Sequence, residues 1–143
     1  MMPIIFALLS GFFAGLVAIF AKLGFENNKI DSTVATTIRS LIMFIFLAGV
    51  TLIAGKFKNF EYRDLTGKDW LFIILSGIAG ALSWIFYFVA LQQGKSITVV
   101  SLDKLSIIFT AIFAYFLLSE SIGWREIIGI VFMVCGAILI SLK

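Results

Sequence analysis

The chain has 143 residues, of which 62% are hydrophobic and 13% charged, with 16 Phe, no His and a single Cys. A soluble domain of this length is about half apolar and a quarter charged, and a small globule has too little interior to hide the surplus. A mean hydropathy of +1.14 makes lipid the expected solvent, and a net charge of +3 without a basic, aromatic-interleaved patch argues against nucleic acid.

With no His and only Cys135, the sequence supports neither a zinc site nor an intrachain disulfide, and most nucleophilic triads lack their base. Neither a GxGxxG pattern nor a P-loop occurs. Enzymatic function and a bound cofactor are therefore not expected.

In chain order, residues 3–21 form a first span. Met1 to Ala21 is charge-free and lacks a basic leading region, so it reads as a retained helix and not as a cleaved signal peptide. Within it, Gly11 and Gly15 make a GxxxG suited to close helix packing. The third span, residues 70–91, follows Thr66-Gly67-Lys68-Asp69, a capping-box-like start. The fifth, residues 122–142, opens on Trp124, Arg125 and Glu126, residue types that suit a membrane interface.

The second and fourth spans are less simple. Cut at their charges they would run from Ser40 to Gly55 and from Leu105 to Ser119, too short to cross about 30 Å of hydrocarbon. Extended to residues 33–54 and 97–118 they reach full length, but they then enclose Arg39 and the adjacent Asp103 and Lys104. Those groups fall about 9–10 Å in from the helix starts. The expected fold is all-α: one five-helix membrane domain over residues 1–143, multi-pass in the cytoplasmic membrane, with lipid as its solvent.

Five spans place the termini on opposite sides. One side carries Lys56, Lys58, Arg63, Lys68 and Arg125. The other carries Lys22, Lys29, Lys95 and Lys143, with Arg39 and Lys104 nearby, which accounts for all 11 basic residues. Orientation normally follows a Lys/Arg excess, and here there is almost none. A single fixed orientation and insertion in both orientations both remain open. Two opposed copies would give ten helices related by an axis in the membrane plane, as in inverted-repeat transporters.

The segments "GLVAIFAKLGF", "STVATTIRSLIMF" and the run from "LSGIAGALSWIFYFVALQQGKS" through "SESIGWREIIGIVFMVCGAILIS" resemble a single EamA-type unit of the drug/metabolite transporter superfamily. The resemblance covers nearly the whole chain. It implies a secondary transporter of a small metabolite, with the solute in a central cavity between helices and alternating access between the two sides. Typical members join two such units, so one unit implies a dimer, with a homodimer expected. The Pro that many members carry near the start of the fourth helix is absent. An accessory subunit of a heteromeric lipid-carrier flippase, or an assembly protein without a pathway, are the alternatives.

Ionised groups inside a span are costly and commonly mark a solute path. Lys104, Asp103, Arg39 and Lys22 are the candidate polar layer. Adjacent helix positions point about 100° apart, so Asp103 and Lys104 are expected to have separate partners, Asp103 pairing with Arg39 or Lys22. The layer is net positive and favours an anionic or carboxylate-bearing solute. Trp84, Tyr87, Phe88 and Leu91 share one face of the third helix, and Ser101, Lys104, Ile108, Ala111 and Tyr115 one face of the fourth. Trp84, Tyr87 and Tyr115 either line the cavity or fill helix contacts, as the many Phe do. Glu120 reads as a packing or capping residue and Cys135 as a packing residue. Removing the charge at Lys104 (Lys104→Gln) is expected to lower transport in a proteoliposome assay; unchanged transport takes Lys104 off the path.

Overall fold

The computed structural model describes residues 2–25, 30–61 and 65–142. The helices are α1 (Met2–Phe25), α2 (Ser32–Ile53), α3 (Gly67–Gln93), α4 (Ser96–Asp103), α5 (Ser106–Leu118) and α6 (Trp124–Ser141), with a 3₁₀ turn at Lys56–Asn59. No strand occurs among the described residues. Five segments are long and apolar enough to cross a membrane: α1, α2, α3, the α4–α5 pair taken together, and α6. The expected all-α, five-span class is what the chain adopts. Of the basic residues weighed for orientation, Lys29, Arg63 and Lys143 lie outside the described residues.

Local chemistry explains where the helices begin. Asp31 caps α2, its Oδ1 accepting the amide hydrogens of Thr33 at 2.8 Å and Val34 at 3.3 Å. Those amides hold the carboxyl below its ordinary value. The cap is therefore intact at neutral pH and is lost as pH falls through the lowered value. At α3 the capping box forms as read from the sequence. The amide and hydroxyl of Thr66 donate to Asp69 Oδ2 at 2.8 and 2.7 Å, and the Asp69 amide donates back to Thr66 Oγ1 at 3.4 Å. Along α2, the hydroxyls of Thr36, Thr37, Ser40 and Thr51 each donate to a carbonyl one turn back. That keeps them from facing lipid unpaired.

The fourth span departs from the expectation of one unbroken helix. α4 ends at Asp103, and Lys104 is its C-cap. Across the junction the amides of Leu105, Ile107 and Ile108 donate to the carbonyls of Leu102, Lys104 and Leu105, three residues back. This is a turn of 3₁₀ geometry. Lys104 (φ −66°, ψ −13°) and Leu105 (φ −66°, ψ −12°) stay right-handed, so the segment tightens without reversing. Asp103 and Lys104 thus do mark a helix end, contrary to the expectation that the pair sits inside one helix, and that end falls within the span.

The chain divides into two compact units. In the first (Met1–Glu26 with Ala90–Lys143), α4 packs against α6 and α1. Gly94 turns α3 into α4, where a Cβ would meet Val99 Cγ2 at 3.0 Å and the Ala90 carbonyl at 3.1 Å. In the second (Asn27–Val89), the 3₁₀ turn folds onto the end of α2. Most apolar side chains stay exposed, including Phe116 at 74% and Phe132 at 73%. In lipid such a surface carries no hydrophobic penalty.

α5 ends on Ser119 in the left-handed region (φ 55°), which lets the Glu120 amide close back onto the Ala114 carbonyl at 3.1 Å. A side chain in this conformation costs roughly 1–2 kcal/mol, and glycine is spared it. Ser119→Gly is expected to stabilise the chain by about 1 kcal/mol, seen as a raised thermal midpoint in detergent. Ser119→Val should lower the midpoint.

Candidate functional site

Within the second unit, α2 and α3 bring Arg39 to an aromatic platform. Arg39 is seven residues past Ser32, about 10 Å along the helix axis, where an uncovered charge is costly. Trp84 and Phe88, one turn apart on α3, stack with centroids 5.4 Å apart and planes 23° from parallel. The guanidinium carbon lies 3.8 Å from the Trp84 ring centroid and 5.1 Å from that of Phe88. Tyr87 meets both rings edge-on, at 5.9 and 5.5 Å. A cation over an indole is worth about 2 kcal/mol when desolvated, so the platform offsets part of the cost of holding Arg39 at this depth. Phe88, the second ring of the platform, is 1% exposed.

The stack occupies the guanidinium's face. Its N–H donors point outward in the ring plane, and among the described residues none of them meets a hydrogen-bond acceptor. Of the residues singled out from the sequence, the structure brings together Arg39, Trp84 and Tyr87. Phe88 belongs with them and was named only as part of a helix face. Its i+4 spacing from Trp84 was the available signal, but spacing does not tell a stacking ring from a packing ring.

Lys22 is differently engaged. From the last turn of α1 its Nζ donates to the carbonyls of Leu91 at 2.9 Å and Gly94 at 2.8 Å. The last carbonyls of a helix have no partner within it and carry its negative dipole end. Lys22 thus caps the C-terminus of α3, a role that needed long-range contact to see. Its expected pairing with Asp103 is not formed.

Asp103 pairs with its own neighbour: Lys104 Nζ lies 3.5 Å from Asp103 Oδ2, the side chains 54% and 39% exposed respectively. This corrects the expectation that adjacent positions cannot meet. That holds for a continuous helix, whereas here the helix ends and the long Lys104 stem folds back. Tyr115 stands apart on α5, exposed and edge-on to Phe116 at 5.2 Å. It lines a small apolar hollow of about 280 Å³ with Ile112 and Ile127.

An open groove of about 670 Å³ separates α5 from α6, lined by Thr110, Ala114, Gly129 and Met133, with Glu120 and Glu126 also on its wall. Nothing in the sequence pattern announced it, because it follows from α5 diverging after the break. The carboxylate of Glu126 lies over Gly123 in the first turn of α6, where an acid suits the helix dipole. No cluster of His, Cys, Asp or Glu able to hold a metal occurs among the described residues.

Five apolar spans, with a guanidinium and an ion pair placed part-way along two of them, define a polytopic membrane protein built to handle polar groups inside the bilayer. The chain belongs to the EamA-like transporter family, which it matches over residues 1–142. It is 38% identical over 135 residues to an uncharacterized transporter in the cobO 3' region of a Sinorhizobium species, covering 94% of this chain and 93% of that one. It is also 28% identical over 140 residues to an uncharacterized protein of Methanocaldococcus jannaschii, covering 98% and 96%. No solved structure matches at a comparable level of significance. The protein is a multi-pass membrane transporter.

Replacing Lys22 by Met leaves the Leu91 and Gly94 carbonyls without their cation. Charge-assisted bonds of this kind contribute about 1.5–3 kcal/mol. Lys22→Met is expected to destabilise the chain by about that amount, measured as a lowered thermal midpoint in detergent. Lys22→Arg should recover most of the loss.

Proposed function

We propose that two copies of this five-span unit insert in opposite orientations and together form a ten-helix transporter that moves a small metabolite by alternating access. The observation that carries the reading is Arg39: a guanidinium about 10 Å into a span, with its face on Trp84 and its donors unmatched. Hydrocarbon leaves such a group several kcal/mol out of balance, whereas water or a solute in a transport path completes it. The near-equal Lys/Arg content of the two flanks supports insertion both ways. The two compact units act as one membrane domain in this reading, and the positive groups part-way along the spans favour an anionic or carboxylate-bearing solute.

Reporters active on only one side of the membrane, fused after Lys143, test the assembly. Signal from both reporters is expected. Signal from one alone replaces the opposed homodimer with a fixed orientation and an oppositely oriented partner chain, the arrangement a heteromeric flippase would need.

A further inference from the structure

Lys22, Arg39 and Lys104, the cations of the candidate polar layer, are separated by their surroundings. Lys22 gives two of its three donors to backbone carbonyls. Lys104 has the carboxylate of Asp103 beside it. Arg39 alone is held by its face, with a full edge of donors and no carboxylate among the described residues to balance it. We propose that the edge of Arg39 is the binding site for one carboxylate carried on a compact apolar body. The solute is then a monocarboxylate monoanion, which deepens the transporter reading above and rests on it only in placing Arg39 on the solute path.

The geometry selects this class in three ways. A guanidinium edge is planar and presents paired N–H donors that match the two oxygens of a carboxylate. Stacking on Trp84 and Phe88 locks the plane before the ligand arrives, which lowers the ordering cost of binding. One guanidinium neutralises one negative charge. Of the other described cations of this unit, Lys56 and Lys58 follow the far end of α2, which is about 21 Å along the helix from Arg39, and Lys68 is in the first turn of α3, about 24 Å along it from Trp84. A phosphate dianion would keep an unpaired charge in a low-dielectric site and bear its desolvation cost. The rings around the guanidinium suit an apolar body and give a second charge nothing to bind.

The test uses the full chain in lipid nanodiscs, with Trp70→Phe and Trp124→Phe so that Trp84 alone emits. Butyrate, butyramide and inorganic phosphate are titrated at neutral pH while Trp84 emission is followed. Butyrate is expected to give a saturable change, butyramide none, and phosphate binding weaker by at least about tenfold. Arg39→Gln should abolish the butyrate response. Arg39→Lys, which keeps the charge and loses the fork, should weaken it, with helical content by circular dichroism unchanged in both variants. Equal responses to butyrate and butyramide, no saturable butyrate response, or a response that survives Arg39→Gln overturns the site. Phosphate binding as tightly as butyrate overturns the monocarboxylate class. The orientation experiment reads out separately: a fixed orientation with intact butyrate binding removes the opposed homodimer and leaves this site standing.

Discussion

Hydrocarbon supplies no hydrogen bonds, and that constraint organises the chain more than any apolar contact does. Several polar groups placed along the described spans have company that lipid cannot provide. Hydroxyls of α2 return to carbonyls one turn back. Lys22 reaches the end of α3, Asp103 and Lys104 lie within ion-pair distance of each other, and the Arg39 guanidinium lies on an indole. The apolar side chains, by contrast, are mostly exposed. With lipid tails as apolar as Leu, their burial is not what holds such a protein together. Among those polar groups Arg39 is the cation held by rings, with no hydrogen-bond acceptor among the described residues.

The fourth span shows how the same constraint shapes the backbone. An acid and a base next to each other in an apolar run are tolerable in a continuous helix only if each finds a separate partner. Ending α4 at Asp103 and tightening to 3₁₀ geometry through Leu105 lets the two pair locally. The consequence is a change of packing: α4 lies on α1 and α6, while α5 stands off α6 and leaves the groove that Glu120 and Glu126 flank. A two-residue feature of the sequence thus becomes a division of one span into a packed part and a divergent part.

The five spans were legible because length and hydropathy over a bilayer leave few choices. The start of α3 was legible because Thr66 and Asp69 carry the capping signature within four residues. The break at Lys104 was not read, since neither Pro nor Gly marks it and the backbone there stays right-handed. For the candidate site, Arg39, Trp84 and Tyr87 were singled out by type and depth. Lys22 was grouped with them for its charge, although its partners lie 69 and 72 residues away in sequence. A cation near a helix end announces no particular acceptor until the fold is known.

What the sequence determined by itself is the solvent and the number of spans, because these depend on composition and period along the chain, which any conformer of it shares; the family followed from the resemblance of its segments, not from either. What only the tertiary structure decided is which charge is still available. Lys22, Arg39 and Lys104 are equivalent on paper as cations part-way along or at the ends of apolar helices. Carbonyls, an aromatic platform and a neighbouring carboxylate then distinguish them. Compensation of a charge is set within a few ångströms of it, and the sequence does not show which groups the fold brings that close.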